Sequence, residues 1–230
     1  MHDMILAQNL SKSYGKKRVF QELSFALPEG RVIGLLGENG VGKTTLLRLI
    51  ANILQPEEGS IHIAGQKVSR KTGKLVSYLL DASNLYAFMT VQDAVQYYKD
   101  FYADFDREKA LALCEEFHLE LKERISSLSK GNQERVCLLL ALSRDVPVYL
   151  LDEPVAGFDP KFKQDFVKIL LKNLPENATV ILSTHLLRDL SSIFDEVMIL
   201  KKDGIVMENA DAIRKENKTI EEFYMEVLAG

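Results

Sequence analysis

The sequence predicts an α/β fold whose parallel sheet is covered by helices on both faces. Three observations carry that expectation. Short apolar strands alternate with amphipathic helices along the chain. One strand passes directly into a helix across a glycine-rich loop at residues 37–44, and another ends on the consecutive carboxylates Asp152 and Glu153.

Taken in order, residues 4–7, 20–27 and 31–36 read as strands parted by the turn residues Ser13-Tyr14-Gly15-Lys16 and Pro28-Glu29-Gly30. The third is apolar on consecutive residues, as a strand buried on both faces requires. From Lys43 the apolar positions fall at helical spacing through Leu46, Leu47, Leu49, Ile50, Ile53 and Leu54, and Pro56 is expected to stop that helix. Residues 59–64 and 75–80 return to strand character. Thr90 then stands as an N-cap, with Asp93 completing a capping box.

Helical periodicity runs from residue 91 to about 142, broken near Asp104-Phe105-Asp106 and around 126–131. We read approximately 84–143 as a helical subdomain inserted into a single domain spanning 1–230. Residues 148–151 and 179–183 are buried strands, 162–173 an amphipathic helix, 197–200 and 204–207 a hairpin, and 219–228 a last helix.

Gly37, Glu38, Asn39, Gly40, Val41, Gly42, Lys43 and Thr44 have the spacing Gly-x4-Gly-Lys-Thr, followed by Thr45. Its glycines let consecutive backbone N–H groups curl around a polyphosphate, and the following helix adds its positive end. Lys43 is then expected on the β- and γ-phosphates of ATP, and the Thr44 hydroxyl in the Mg²⁺ shell. In the segment Tyr149-Leu150-Leu151-Asp152-Glu153-Pro154, the carboxyl end of a buried strand carries the acidic pair. Asp152 is expected to hold Mg²⁺ through water and Glu153 to polarise an attacking water, with Pro154 keeping Glu153 extended.

Composition excludes several classes. With 47% hydrophobic and 27% charged residues, the 230-residue chain is neither disordered nor fibrous, and it can bury a sizeable core. Its net charge of −4, with both signs mixed along the chain, gives no broad basic surface, so no nucleic-acid partner is expected. Cys114 and Cys137 have neither a CxxC pair nor a His cluster nearby, which argues against zinc or a disulfide framework and fits a reducing, cytoplasmic setting. The start of the chain lacks a signal-peptide pattern, and the longest apolar stretch, residues 136–142, is too short to span a bilayer. Any membrane role is therefore expected to work through another chain.

Against these motifs, Leu128-Ser129-Lys130-Gly131-Asn132-Gln133-Glu134-Arg135-Val136 resembles the LSGGQ signature of the ATP-binding cassette (ABC) ATPases. The resemblance covers nearly the whole chain in the family's order. Tyr14 matches the aromatic on which adenine stacks, Asp152-Glu153 the Walker B pair, Ala156-Gly157-Phe158-Asp159 the D-loop, and Ser183-Thr184-His185 the switch histidine. It implies a P-loop NTPase (RecA-like) fold with a mixed sheet, an N-terminal antiparallel β subdomain and an inserted helical subdomain. Glu153, His185 and Lys43 are implied as catalytic groups. Ser129, Gly131 and Asp159 join the phosphate loop and Tyr14 in nucleotide binding, with Ser129 and Gly131 facing the γ-phosphate held by the opposite subunit. Physically, the signature is a helix N-terminus offering a free hydroxyl and free N–H groups.

Departures from the family pattern concern Asp81 above all, which occupies the place of the family's metal-side Gln. Being shorter and charged, it either binds Mg²⁺ directly or repels γ-phosphate. Lys130 and Asn132 replace the second Gly and the Gln of the signature. Lys130 either adds charge at a dimer seam or is simply solvated. The resemblance implies an ATP-hydrolysing subunit of an ABC transporter, with a second ABC ATPase subunit, identical or different, and separate transmembrane permease subunits as partners. It is closest in style to bacterial export-type cassettes, at the inner face of the cell membrane. The alternative is a regulatory subunit of an asymmetric pair that binds nucleotide with little hydrolysis.

Overall fold

The structure is a computed structural model describing residues 3–79, 81–155 and 157–229. Strands β1 (Asp3–Tyr14), β2 (Lys17–Pro28) and β3 (Val32–Leu36) lead into helix α1 (Lys43–Ile50). Then come β4 (Glu58–Ile63), β5 (Gln66–Lys67) and β6 (Val76–Tyr78), followed by the helices α2 (Val91–Phe101), α3 (Arg107–Glu116) and α4 (Lys130–Leu142). The remainder alternates: β7 (Val148–Asp152), α5 (Pro160–Asn173), β8 (Thr179–Ser183), α6 (Leu187–Leu190), β9 (Glu196–Lys201), β10 (Gly204–Asn209), α7 (Ala210–Lys215) and α8 (Ile220–Ala229).

Two sheets result. A four-stranded antiparallel sheet has the order β2-β1-β4-β5, and a six-stranded sheet the order β10-β9-β3-β8-β7-β6. In the larger sheet β6 to β9 and β3 run parallel, and β10 returns antiparallel to β9, so the sheet is mixed as the family resemblance implied.

Strand alternation divides the core. Ile33, Leu35, Val148, Leu150, Ile181, Met198 and Leu200 point to a core shared with α1 and the antiparallel sheet. Their neighbours Leu36, Tyr149, Leu151, Val180, Leu182, Val197 and Ile199 face the other side, where α2 to α5 pack. Continuous apolar runs are the sequence form of such two-sided burial. Gly34 lies between them because there is no room for a side chain: a Cβ there would stand 2.5 Å from the Phe194 ring.

Four expectations need correction. The first two strands are 12 residues each, longer than the apolar segments 4–7 and 20–27. Bulges shift the register between Ala7 and Leu10, so the apolar face resumes three residues on and hides the period of two. Helix α1 ends at Ile50 instead of running to Leu54, because Asn52 takes a left-handed φ of 58° and the amides of Ile53 and Leu54 close on the Arg48 carbonyl. The strand expected at 75–80 covers Val76–Tyr78, and Leu80 lies outside the described residues. In the helical stretch, α3 stops at Glu116, followed by His118 at φ 55°, so the break before α4 begins earlier than residue 126. Among the described residues no helix is long and apolar enough to cross a membrane.

Candidate active site

The loop between β3 and α1 forms one wall of a cleft of about 310 Å³. Tyr14, Asn39, Gly40, Gly42, Lys43, Thr44 and Thr45 line it together with Asp152 and Glu153. Gly42 is the N-cap of α1 at φ 121°, and a Cβ there would meet the Phe20 ring at 2.7 Å, so only glycine lets the helix start this close to β2. Among the described residues no side chain caps α1, which leaves its first amides available to an anion. Lys43 is buried, and its Nζ donates to the Gly37 carbonyl at 2.6 Å and the Glu38 carbonyl at 3.3 Å. Burial pushes its ammonium below the usual lysine range, opposed by the negative charges of Glu153 and Asp152. An ammonium in a partly desolvated loop, hydrogen-bonded among the described residues to the Gly37 and Glu38 carbonyls, suits a polyanion.

The opposite wall is the end of β7. Asp152 pairs in register with Ser183 of β8. The Ser183 hydroxyl donates to Asp152 Oδ1 at 2.5 Å and accepts from the Glu153 amide at 3.0 Å. That amide also reaches the Ser183 carbonyl at 3.1 Å. The expectation that Pro154 holds Glu153 extended is overturned: Glu153 adopts a left-handed φ of 49°. Its doubly bonded amide and the reversal of the chain after β7 outweigh the local preference. The turn aims the carboxylate so that Glu153 Oε2 lies 2.8 Å from His185 Nδ1. The tautomer with the proton on Nδ1 makes this contact a hydrogen bond to the carboxylate. The hard oxygens of Asp152 and Thr44 in one cleft suit Mg²⁺.

The family model described as ABC transporter matches residues 20–156, more than half of the chain. The chain belongs to the ABC transporter family. It is an ATP-binding cassette of the ATPase type. An uncharacterised ABC transporter ATP-binding protein of Methanocaldococcus jannaschii is 33% identical, over 90% of this chain and 77% of its own length. The SkfA peptide export ATP-binding protein of Bacillus subtilis is 31% identical, over 90% and 88%. Among solved structures, an ATP-binding subunit of an ABC transporter superimposes with a TM-score of 0.87 over 98% of this chain and 99% of that one, at 24% identity. That last likeness establishes the fold.

Not every anticipated residue of the cassette lines its own cleft. Ser129 is the N-cap of α4, and its hydroxyl is not free as expected, because it accepts from the Asn132 amide at 3.3 Å. Gly131 packs beside the Gly157 backbone, and Asp159 caps α5 by accepting from the Phe162 amide at 3.0 Å. That bond, then the Arg135 charge, holds the Asp159 carboxyl below the usual range. Ala156 of the D-loop lies outside the described residues. Asp81 caps the short turn Ala82–Asn84 by accepting from the Ser83 amide at 2.8 Å, and hydrogen bonds from Ser83 lower its carboxyl. It does not line the cleft with Thr44 and Asp152. Residues that sequence reasoning passed over are Lys17 and Val19 of β2, which line the cleft; Ser183 was named only as the start of the switch-histidine segment, with no role of its own.

Proposed function

We propose that this chain is the ATP-hydrolysing subunit of an export-type ABC transporter, cleaving ATP and water to ADP and phosphate between two closed cassettes. The observation that carries it is Glu153, turned into the cleft of Lys43 and held by His185 at 2.8 Å. Tyr14, half exposed at the cleft, takes the adenine, and the loop Gly37 to Thr45 takes the phosphates. Lys43 exchanges its carbonyl partners for phosphate oxygens.

Thr44, and Asp152 through water, would hold Mg²⁺, which would neutralise phosphate charge and polarise the phosphoryl oxygens. Glu153 accepts the proton of the attacking water, and His185 keeps its carboxylate oriented. Asp81 lies outside this cleft, its Oδ1 accepting from the Ser83 amide at 2.8 Å, so its arrival at the metal side requires movement of its turn. Ser129 and Gly131 do not line the cleft of their own chain, which supports their action on the nucleotide of a second subunit, identical or different.

Residues 84–143 form the helical subdomain in this reading, and it meets the permease. Tyr86, Phe88, Tyr97 and Phe101 are exposed there, Phe88 by 72% and Phe101 by 69%, next to the turn that Asp81 caps. A cluster of exposed aromatics suits a partner subunit, and in this reading the permease holds the cassette at the cytoplasmic side of the membrane. The likeness to a peptide-export relative supports the outward direction. The pairing of Glu153 with His185 disfavours a regulatory subunit of little hydrolysis.

Steady-state phosphate release by the purified chain with Mg²⁺ and ATP, beside Glu153→Gln, tests the reading. Loss of turnover by at least about 100-fold with nucleotide binding retained is expected. Equal turnover in both proteins would overturn it.

A further inference from the structure

The signature helix and the D-loop touch each other inside one chain, with the Glu134 carboxylate against Gly157 and an ion pair from Arg135 to Asp159. Arg135, in the second turn of α4, reaches across to α5 and donates to Asp159 Oδ2 at 2.5 Å. Its guanidinium lies 4.5 Å above the Phe162 ring, and one of its nitrogens also reaches the Phe117 carbonyl and Asn132 Oδ1, each at 3.4 Å. Phe162 is itself wedged edge-on between Phe117 and Phe158, with centroid distances of 5.1 Å and 4.4 Å. The guanidinium therefore has a defined seat, and one arm of its fork, Nη2, points at the end of the D-loop. One turn earlier on α4, Gly131 lies beside the Gly157 carbonyl, where an added Cβ would stand at ordinary contact distance, 3.5 Å.

We propose that Arg135 is a positioning residue that clamps the D-loop onto the signature helix through Asp159, so that the two segments move as one body. The proposal rests on the dimer reading above. In that reading the signature serves the partner's nucleotide, whereas the D-loop continues directly from Glu153, which serves the chain's own. A clamp between them ties closure over one nucleotide to the alignment of Glu153 at the other.

The physical case is that Arg135 is mostly buried, with 18% of its side chain exposed, whereas Asp159 is 51% exposed. A half-exposed ion pair contributes little to folding, so its loss should be read in function rather than in stability. Lysine keeps the charge but loses the planar fork and the seat on the ring.

The test compares Arg135→Gln, Arg135→Lys, Asp159→Asn and the double variant Arg135→Gln/Asp159→Asn. Readouts are phosphate release, binding of a fluorescent ATP analogue by the single chain, and ATP-induced dimerisation in the Glu153→Gln background by size-exclusion chromatography. Arg135→Gln is expected to lower kcat at least about tenfold, with KM and single-chain binding within about twofold. It should also weaken dimerisation, with Arg135→Lys recovering part of both. The double variant should be no worse than either single one, because both remove the same contact. Unchanged turnover and dimerisation in Arg135→Gln would overturn the clamp. So would additive losses, or a loss that simply follows reduced thermal stability and nucleotide binding. Should Glu153→Gln with native Arg135 fail to pair on ATP, the dimer reading itself falls, and the clamp with it.

Discussion

The Ser183 hydroxyl donates to Asp152 Oδ1 at 2.5 Å across the β7–β8 pair, and the same oxygen accepts from the next amide, that of Glu153, at 3.0 Å. One neutral side chain thus orients the Asp152 carboxylate and the backbone of Glu153, the proposed metal ligand and general base. Ser183→Ala leaves Glu153 with a single carbonyl partner and Asp152 without its donor. Because Ser183 is fully buried, ~1–3 kcal/mol of folding stability should be lost. Turnover should fall roughly tenfold or more, by ~1.4 kcal/mol of barrier. Urea unfolding and steady-state ATPase rates would show it, and a variant unchanged in both would refute this role.

His185 offers a cleaner separation of function from folding. Its side chain is 59% exposed, so His185→Ala should move stability by less than ~0.5 kcal/mol. The Glu153 carboxylate loses its 2.8 Å partner, and kcat should fall by about 100-fold with KM for ATP little altered. A large rise in KM instead would make His185 a nucleotide ligand in the ground state.

Lys43 gives a pH signature. Burial lowers its pKa in the folded chain below the 10.5 of an ordinary lysine. Between those two values the unfolded chain binds more protons than the folded one, so this lysine's contribution to unfolding free energy rises with pH across that window. Wild type should therefore gain stability relative to Lys43→Met as pH is raised from neutral. Parallel curves for the two proteins would contradict the depressed value.

At Gly34 the structure leaves no space for a methyl group. Gly34→Ala drives a carbon into the Phe194 ring, at 2.5 Å, and should cost ~1–3 kcal/mol. Combining it with Phe194→Leu should cost less than the sum of the two single changes, because they share one contact. Thermal denaturation of the four proteins measures that coupling.

Asp81→Asn keeps an oxygen for the Ser83 amide, observed at 2.8 Å, and removes only the charge. If the carboxylate joins the metal side during turnover, the half-saturating Mg²⁺ concentration should rise severalfold with little change in melting temperature. An unaltered Mg²⁺ dependence together with unaltered turnover would remove Asp81 from the metal side.

What the sequence revealed and what it concealed divide along physical lines. The buried strands were legible because two-sided burial writes itself as unbroken apolar runs, as in Val148–Asp152 and Thr179–Ser183. The phosphate loop was legible because its glycines and Lys43 serve a local backbone shape. The full length of β1 and β2 was not, since bulges such as that between Ala7 and Leu10 break the alternation that betrays a strand. Nor was the tie between Arg135 and Asp159, 24 residues apart, because it depends on how α4 meets α5. The turn at Glu153 went against a sound local rule for residues preceding proline: its amide bonds lie across the sheet.

That turn at Glu153 also says what the chain gives up for its chemistry. A glutamate held at φ 49° stores ~1–3 kcal/mol that glycine would largely release and asparagine would reduce. The most stable residue at position 153 is therefore one that cannot take a proton from water. Glu153→Gly should yield a firmer, inert protein. If Glu153 is the proposed base, selection for hydrolysis keeps the side chain there, and a descendant copy relieved of that duty would be expected to lose this glutamate early, while the strands around it stayed intact.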